Sequence, residues 1–480
     1  MLSKSSVILT AQQEKCVNFS DENPLIVKGI AGSGKSLVII LRAAALYERH
    51  KSENPKIAIF TFANSLVKFT NEIIGGANYR CENLNISTID SEIIKLYGKV
   101  MHRKYYGKDI FSFDYDILKK IIDGMQYTSA GESRFCKEEM FPFLEDEIKW
   151  MKEHFFSSFD EYYLSQRTGR GSVRLGFGDR QLIYKIYTKY YEMLKEKSEN
   201  KIESMYEDLY NNKDLIPEEL KYDYVLIDEC QDLSLSKLKI AKELAKKSIT
   251  FAADFTQKIY KSGFTWKEIG VQITKGSSKT LSGTFRNTFE IMNFATDFIL
   301  HNTELLEYLE PEMPNRHGIL PQLYMLKSAE EKQSRMFVEM VKSLITENYD
   351  RTFAVIVPDN KKIFQLRRLF SNNDIVSQII RKEENYNVLS PGVKLVTFHS
   401  AKGLEFDCVL IPFLDEGVFP NLSKVTTSED QNDVMNNARN LLYVGMTRAK
   451  RSLYMICGNK PSVLIQDFNG NLVKIKTMWE

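Results

Sequence analysis

The sequence predicts an α/β protein with two parallel-sheet cores, the first interrupted by a mostly helical insertion. Three observations carry this. Short apolar runs alternate with helical patterns near the start and again from Tyr222. A second such series runs from LPQLYML to SLYMIC. Between the two halves of the first series lies a stretch rich in Tyr and Phe whose apolar residues recur at helical spacing.

Taken in order, PLIVKG reads as a strand, SLVIILRAAALYER as a helix, KIAIFTF as a strand, the segment from Ala63 as a helix and LNIST as a strand. The rhythm breaks from about Gly98 to Leu220, where Leu182, Ile186, Tyr190 and Leu194 follow Asp179, a candidate helix cap. Alternation resumes with YDYVLIDE, SLSKLKIAKELAKK and ITFAAD. The join between cores is expected at GSSKTLSG, where Gly and Ser cluster without periodicity. The second core then contains TFAVIVP, VKLVTF and DCVLIPF. The expected division is 1–97 with 218–280 for the first core, 98–217 for the insertion and 281–480 for the second core.

With 480 residues, 43% of them hydrophobic, the chain has enough apolar material for two or three filled domains. It carries 65 basic and 63 acidic residues, a formal net charge of +2, which neither supports nor excludes nucleic acid. The six cysteines lie far apart with no C-x-x-C, against a zinc site or disulfide framework, and fit a reducing cytoplasmic setting. No stretch approaches the roughly 18 to 20 apolar residues of a membrane span, and MLSKSSVILTAQQ lacks the features of a targeting segment.

The chemistry concentrates first in Gly29-Ile30-Ala31-Gly32-Ser33-Gly34-Lys35-Ser36. This loop satisfies G-x-x-x-x-G-K-[ST] and sits between an expected strand and helix. Gly29, Gly32 and Gly34 let backbone N–H groups close on phosphate oxygens, Lys35 brings a positive charge to the β and γ groups, and Ser36 offers a hydroxyl to Mg2+. YDYVLIDE then ends in Asp228 and Glu229. At the carboxyl edge of a parallel sheet, Asp228 would hold the magnesium through water, and Glu229 would orient or deprotonate the attacking water.

VLIDECQDLS, TFHSAKGLEF and LLYVGMTRAKRSLY, in this order, resemble the superfamily 1 helicases of the UvrD/Rep type. The resemblance covers about Leu9 to Tyr97 and Tyr222 to Cys457. It implies two RecA-like domains that clamp ATP and step along single-stranded DNA in the 3′ to 5′ direction. It also implies ATP and Mg2+ as cofactors and single-stranded DNA or a tailed duplex as partner. Gln13 in LTAQQEKCV would read the base. Gln257 would sense the γ-phosphate or the attacking water, with Asp254 the acidic residue of the same motif. In GTFRNT, Phe285 would stack on adenine and Arg286 reach the γ-phosphate. Glu405 would meet the ribose or γ-phosphate region, and Arg448 would be the arginine finger. On the DNA side the resemblance points to Thr61, Phe62, Asn64, Ser87, Thr88, Thr397, His399 and Ser400 as backbone contacts. Tyr260, with Phe264 or Trp266, would be a stacking platform.

The chain also departs from the family pattern. IYKSGFTWKEIG is longer than the compact family form, NARNLLY lacks the usual acidic and second basic residue, and STIDS replaces the usual Thr-Phe-His version. Only about 110 residues separate Arg286 from Thr397, too few for the large helical subdomain many members insert there. A compact motor that translocates readily and unwinds poorly is therefore expected. The insertion contributes SQRTGRGSVRLGFGDRQ, in which Arg167, Arg170, Arg174 and Arg180 suit phosphate contact, although a solvated loop with scattered charge accounts for them at least as well. The competing function is an ATP- and DNA-sensing regulatory subunit of a nuclease-containing genome-maintenance or antiviral complex. A nuclease or recruitment protein would then be its partner. A small-molecule phosphotransferase is disfavoured, because it needs no second core carrying Arg448.

Overall fold

The computed structural model describes residues 9–30, 32–61, 67, 83–102, 113–125, 133–165, 167, 173–197, 205–254, 265–272, 274, 276–302, 312–380, 390–422 and 428–479. The first sheet has six parallel strands in the order β3-β2-β4-β5-β1-β6: β1 Leu25–Gly29, β2 Ile57–Thr61, β3 Leu84–Thr88, β4 Tyr222–Ile227, β5 Ala245–Ala253 and β6 Ser278–Leu281. β4 and β5 enter this sheet from beyond the insertion, and their central residues are fully buried between helices, as parallel strands require.

The second sheet has seven parallel strands in the order β13-β7-β12-β11-β8-β10-β9. These are β7 Gln322–Lys327, β8 Thr352–Val357, β9 Ser377–Ile379, β10 Gly392–Thr397, β11 Phe406–Ile411, β12 Ala449–Cys457 and β13 Lys474–Trp479. Two layers of apolar side chains fill its faces. One centres on the helix Phe289–Ile299 with Leu442 and Met446, and the other on Phe337, Leu366 and Phe370.

Helices Tyr115–Met125, Phe141–His154, Phe159–Leu164 and Phe177–Lys197 share a core of their own around Phe135, Trp150, Tyr162 and Tyr190. The helix Ile89–Val100 spans the expected join at 97 and packs Ile89, Ile93 and Leu96 into the first sheet's core, as does Met205–Asn211 with Met205 and Leu209. Asp179 is not the cap of its helix: Phe177 begins the helix, and the Asp179 carboxylate accepts the Gly176 N–H at 3.0 Å. The helix expected from Ala63 lies outside the described residues apart from Val67.

GSSKTLSG does lie where the chain leaves the first sheet, but it is not irregular. It supplies β6, which runs parallel to β1 with Ile26 opposite Ser278. β6, β9 and β13 are edge strands that were not legible in advance, unlike the edge strand β3 (LNIST), because the Ser, Lys, Thr and Gln that an edge tolerates interrupt their apolar pattern. Among the described residues no helix is long and apolar enough to cross a membrane.

The carboxyl edge of the first sheet reads, in spatial order, Thr88, Thr61, Asp228 and Glu229, Asp254, then the glycine loop. The strand order therefore places the two carboxylates and the loop side by side, with the residues expected to face DNA further along the same edge.

Candidate functional site

β1 delivers the chain into the loop and helix α2, Lys35–Arg49, receives it. Gly32 (φ +75°) and Gly34 (φ +85°) take left-handed backbone that a side chain would strain, and no room exists for one. A Cβ on Gly32 would lie 2.6 Å from the Arg286 Cβ, and one on Gly34 would lie 2.5 Å from the Gln13 amide nitrogen. The Phe285 N–H donates to the Gly32 carbonyl at 2.9 Å, so the GTFRNT segment rests directly on the loop.

Lys35 is buried and turned onto the loop itself. Its Nζ donates to the Gly29 and Ile30 carbonyls at 3.0 and 2.8 Å and pairs with Asp254 at 3.2 Å. Ser36 Oγ donates to Asp228 Oδ2 at 2.6 Å. A hydroxyl and a carboxylate oxygen converging at the start of a helix are hard-oxygen donors suited to Mg2+, so the residues present fit that ion. The buried Ser33 hydroxyl has no hydrogen-bond partner, consistent with a loop built to engage a further oxygen.

Asp228 and Glu229 are shifted in opposite directions. Burial, then the adjacent Glu229 charge, push Asp228 up to about 6, although Ser36 and Lys35 pull the other way. Burial also acts to raise Glu229, but the Lys402 and Lys35 charges and the Gln231 amide outweigh it and keep that carboxylate below its usual range. Glu229 itself sits at φ +52°, a strained backbone for a residue with a Cβ. Gln231 bridges the centre: its amide nitrogen donates to Glu229, and its carbonyl accepts the Asp254 N–H at 3.0 Å.

The second core supplies the opposite wall. Arg286 grips Glu405 Oε1 through Nε at 2.9 Å and Nη2 at 2.8 Å. Phe406 lies opposite Ala449, so Glu405 and Arg448 stand together at the amino ends of neighbouring strands. Arg448 is only 1% exposed, donating to the carbonyls of Val444 (2.9 Å) and Leu404 (3.4 Å) and to the Thr447 hydroxyl (3.2 Å). Burial, then the nearby Arg286, push it down to about 9, which leaves it charged at neutral pH. Phe285 is 58% exposed, a ring available for stacking. Gln13 donates to the Ser33 carbonyl at 3.1 Å and accepts the Thr10 N–H at 3.0 Å, which puts its amide at the loop's rim.

Lys402, Gln231 and Asp232 belong to the site and were not singled out from sequence. Lys402 lies 2.6 Å from Asp232 and 4.0 Å from Glu229, crossing from one core to the other. Its place between His399 and Glu405 in TFHSAKGLEF was the available signal, but the partner of a lysine is not written in its neighbours.

On the expected DNA side, Thr61, Ser87 and Thr88 end β2 and β3. Thr88 and Thr397 act as helix caps, accepting the N–H groups of Ser91 and Ser400. His399 is exposed, and partial burial of its ring and the Lys402 charge hold the imidazole below its ordinary value. Trp266 is half-buried with its ring 5.1 Å from that of Phe251, in contact with the sheet's core. Ala31, Phe62, Asn64, Gln257, Tyr260 and Phe264 lie outside the described residues.

Two arginines of the insertion are used internally. Arg167 forms a double hydrogen bond with the buried Glu147, and Arg180 donates to the carbonyls of Tyr162, Tyr163 and Ser165. All three nitrogens of the Arg167 guanidinium are thus engaged within the insertion, whereas Arg180 commits Nη1. Arg174 is exposed, and Arg170 lies outside the described residues.

This geometry coincides with a family match over more than half of the chain: the model of the UvrD/REP helicase N-terminal domain covers residues 9–268. The chain belongs to the UvrD/REP helicase family. The UvrD-like helicase C-terminal domain matches residues 373–460, which hold β9 to β12 of the second sheet, as the N-terminal match holds β1 to β5 of the first, and the two parallel-sheet cores are consistent with a pair of RecA-like domains. A probable DNA helicase II homolog of Mycoplasma capricolum subsp. capricolum is 23% identical, over 94% of this chain and 62% of that protein. The ATP-dependent DNA helicase PcrA of Bacillus subtilis is 30% identical, over 36% of this chain and 21% of that protein. Among solved structures, the C-terminal domain of a possible DNA helicase from Lactobacillus plantarum is 21% identical. That likeness covers 40% of this chain and 98% of the other, at a TM-score of 0.30. The match thus spans less than two thirds of the length of either curated relative.

Proposed function

We propose that this UvrD/REP-family chain is an ATP-dependent DNA translocase or helicase that moves 3′ to 5′ on single-stranded DNA. The observation that carries the reading is the meeting of Lys402 with Asp232 and Glu229 and of Arg286 with Gly32 of the loop, with Arg448 close enough to act on Glu229 and Asp254. A nucleotide held there touches both cores, so its hydrolysis is sensed as a change in their separation. The family match favours this motor over the regulatory-subunit alternative.

In the proposed mechanism the loop amides and Lys35 take the β and γ phosphates, which requires Lys35 to leave the Gly29 and Ile30 carbonyls. Gln13 reads the base and Phe285 stacks on it. Ser36 and Asp228 would hold Mg2+, which offsets phosphate charge. Glu229, kept ionised by Lys402 and Lys35, accepts the proton of the attacking water. Arg286 and Arg448 stabilise the charge developing on the transferred phosphoryl group. The strand-end hydroxyls of Thr61, Ser87, Thr88 and Thr397, with His399 and Ser400 in the short helix after β10, would follow the DNA backbone and carry no base preference.

The test is steady-state ATPase with and without single-stranded DNA. Strong stimulation by DNA, lost in Lys35→Ala and Arg448→Ala, is expected. ATP turnover indifferent to DNA would refute the motor.

A further inference from the structure

Arg42 lies within α2 and is fully buried, at 0% exposure. Its five hydrogen bonds all reach uncharged oxygen atoms. Nη1 donates to the carbonyls of Cys16, Val17 and Phe19 at 3.2, 3.3 and 2.9 Å, Nη2 to that of Ser20 at 2.7 Å, and Nε to the Thr250 hydroxyl at 3.0 Å. The guanidinium also lies 5.8 Å from the centre of the Phe19 ring. A buried charge is costly unless its donors are all engaged, so this site must be built around Arg42 and not merely tolerate it.

The four carbonyls belong to one short segment, the end of helix α1, Ala11–Val17, and the turn after it. A helix of seven residues has no stability of its own, so what holds it also decides where it points. The residue it presents to the loop is Gln13, whose amide donates to Ser33. At its other side Gln12 forms a reciprocal pair with Ser282. The far anchor is Arg42, seven positions after Lys35 and therefore about two turns along the same face of α2. The rod whose first turn takes phosphate thus also grips the segment that carries the base reader, and Thr250 ties the grip to β5, the strand leading to Asp254.

We propose that Arg42 is a positioning residue for the base end of the nucleotide site, holding α1 so that Gln13 stands at a set distance from the phosphates and discriminates adenine. This rests on the nucleotide site proposed above and assigns a base-specificity role to a residue that touches no nucleotide. Lysine cannot replace it, because one ammonium cannot serve four carbonyls spread from Cys16 to Ser20 and the Thr250 hydroxyl of another element.

The experiment measures equilibrium binding of ATP, GTP and inorganic tripolyphosphate, with ATPase kinetics, for the full chain and for Arg42→Met, Arg42→Lys, Gln13→Ala, Thr250→Val and the Arg42→Met/Gln13→Ala pair. Both Arg42 variants are expected to lose roughly tenfold in preference for ATP over GTP, as Gln13→Ala does, with the change in KM and not in kcat. Tripolyphosphate binding should stay unchanged and the double variant should be no worse than either single one. Equal losses for all three ligands, or additive losses in the double variant, would overturn the proposal by showing a merely structural role. If Arg42→Met and Arg42→Lys do not fold, Thr250→Val decides: a smaller shift in the same preference supports the proposal, and an unchanged preference overturns it. A parent chain that binds no triphosphate at all refutes instead the nucleotide site on which the inference rests. One that binds ATP and GTP alike overturns the base-reading role itself.

Discussion

Lys402 Nζ lies 2.6 Å from Asp232 and 4.0 Å from Glu229, so a single ammonium from the second core offsets two carboxylates of the first. All three side chains are buried. The contact therefore forms only when the two cores are together, and it reaches the carboxylate proposed as the base.

Lys402→Met is expected to destabilise the folded chain by about 3 kcal/mol, the usual scale for leaving one member of a buried pair uncompensated. It should also move the acid limb of the ATPase profile to higher pH. Glu229 lies below its usual range with Lys402 among the causes, so its ionised form is lost only as pH falls through that lowered value. Without Lys402 the loss starts at higher pH. An unmoved limb in a folded variant would show that Lys402 does not act on Glu229.

Glu229→Gln and Lys35→Ala should each lower DNA-stimulated turnover by roughly two orders of magnitude or more while leaving binding to single-stranded DNA intact. Fluorescence anisotropy with a labelled strand, alongside ATPase, separates the two readouts. Turnover persisting in both variants contradicts the assigned roles.

Asp228 sets a second pH effect. Its carboxyl is pushed up to about 6 in the fold from an ordinary value of 3.8, so between those values the folded chain holds a proton that the unfolded chain has released. Stability without Mg2+ should therefore fall as pH rises from about 4 to 6, and Asp232, also pushed up to about 6 by burial, adds in the same sense. Urea midpoints across this range measure it, and Asp228→Asn should flatten the slope. Because proton and cation compete for Asp228, raising Mg2+ should extend ATPase activity to lower pH.

The compact second core should make translocation outlast unwinding. Only about 110 residues separate Arg286 from Thr397, and the described ones include the helix Phe289–Ile299, β7, β8, β9 and the helices Glu330–Glu347 and Asn360–Ser371 of the second core itself. A displacement assay on single-stranded DNA is expected to give signal where a 3′-tailed duplex gives little. Robust unwinding by the isolated chain would sink this expectation.

Much of the ATP site was legible because its parts are local. GIAGSGKS carries strand end, turn and helix start in one run, and the left-handed Gly32 and Gly34 are chosen by residue type. The interior strands were legible for a similar reason, since burial on both faces demands unbroken apolar runs such as TFAVIV. The edge strands β6 and β13 were not, because half-shielded backbone accepts polar side chains. The partner of Arg167 was not legible for a related reason: an Arg beside glycines has the same local sequence whether it meets solvent, a phosphate or the buried Glu147.

By itself the sequence determined two alternating α/β series, the phosphate loop, the Asp228–Glu229 strand end and the order of the family motifs. These depend on the chemistry of neighbours along the chain. Only the tertiary structure decided that Lys402 meets Asp232, that Arg286 grips Glu405, and that Arg42 spends its donors on the segment behind Gln13. Each of those contacts joins residues remote in sequence, and each is set by how elements pack, since burial makes every charge find a partner and only the packing of the elements determines which one lies within reach.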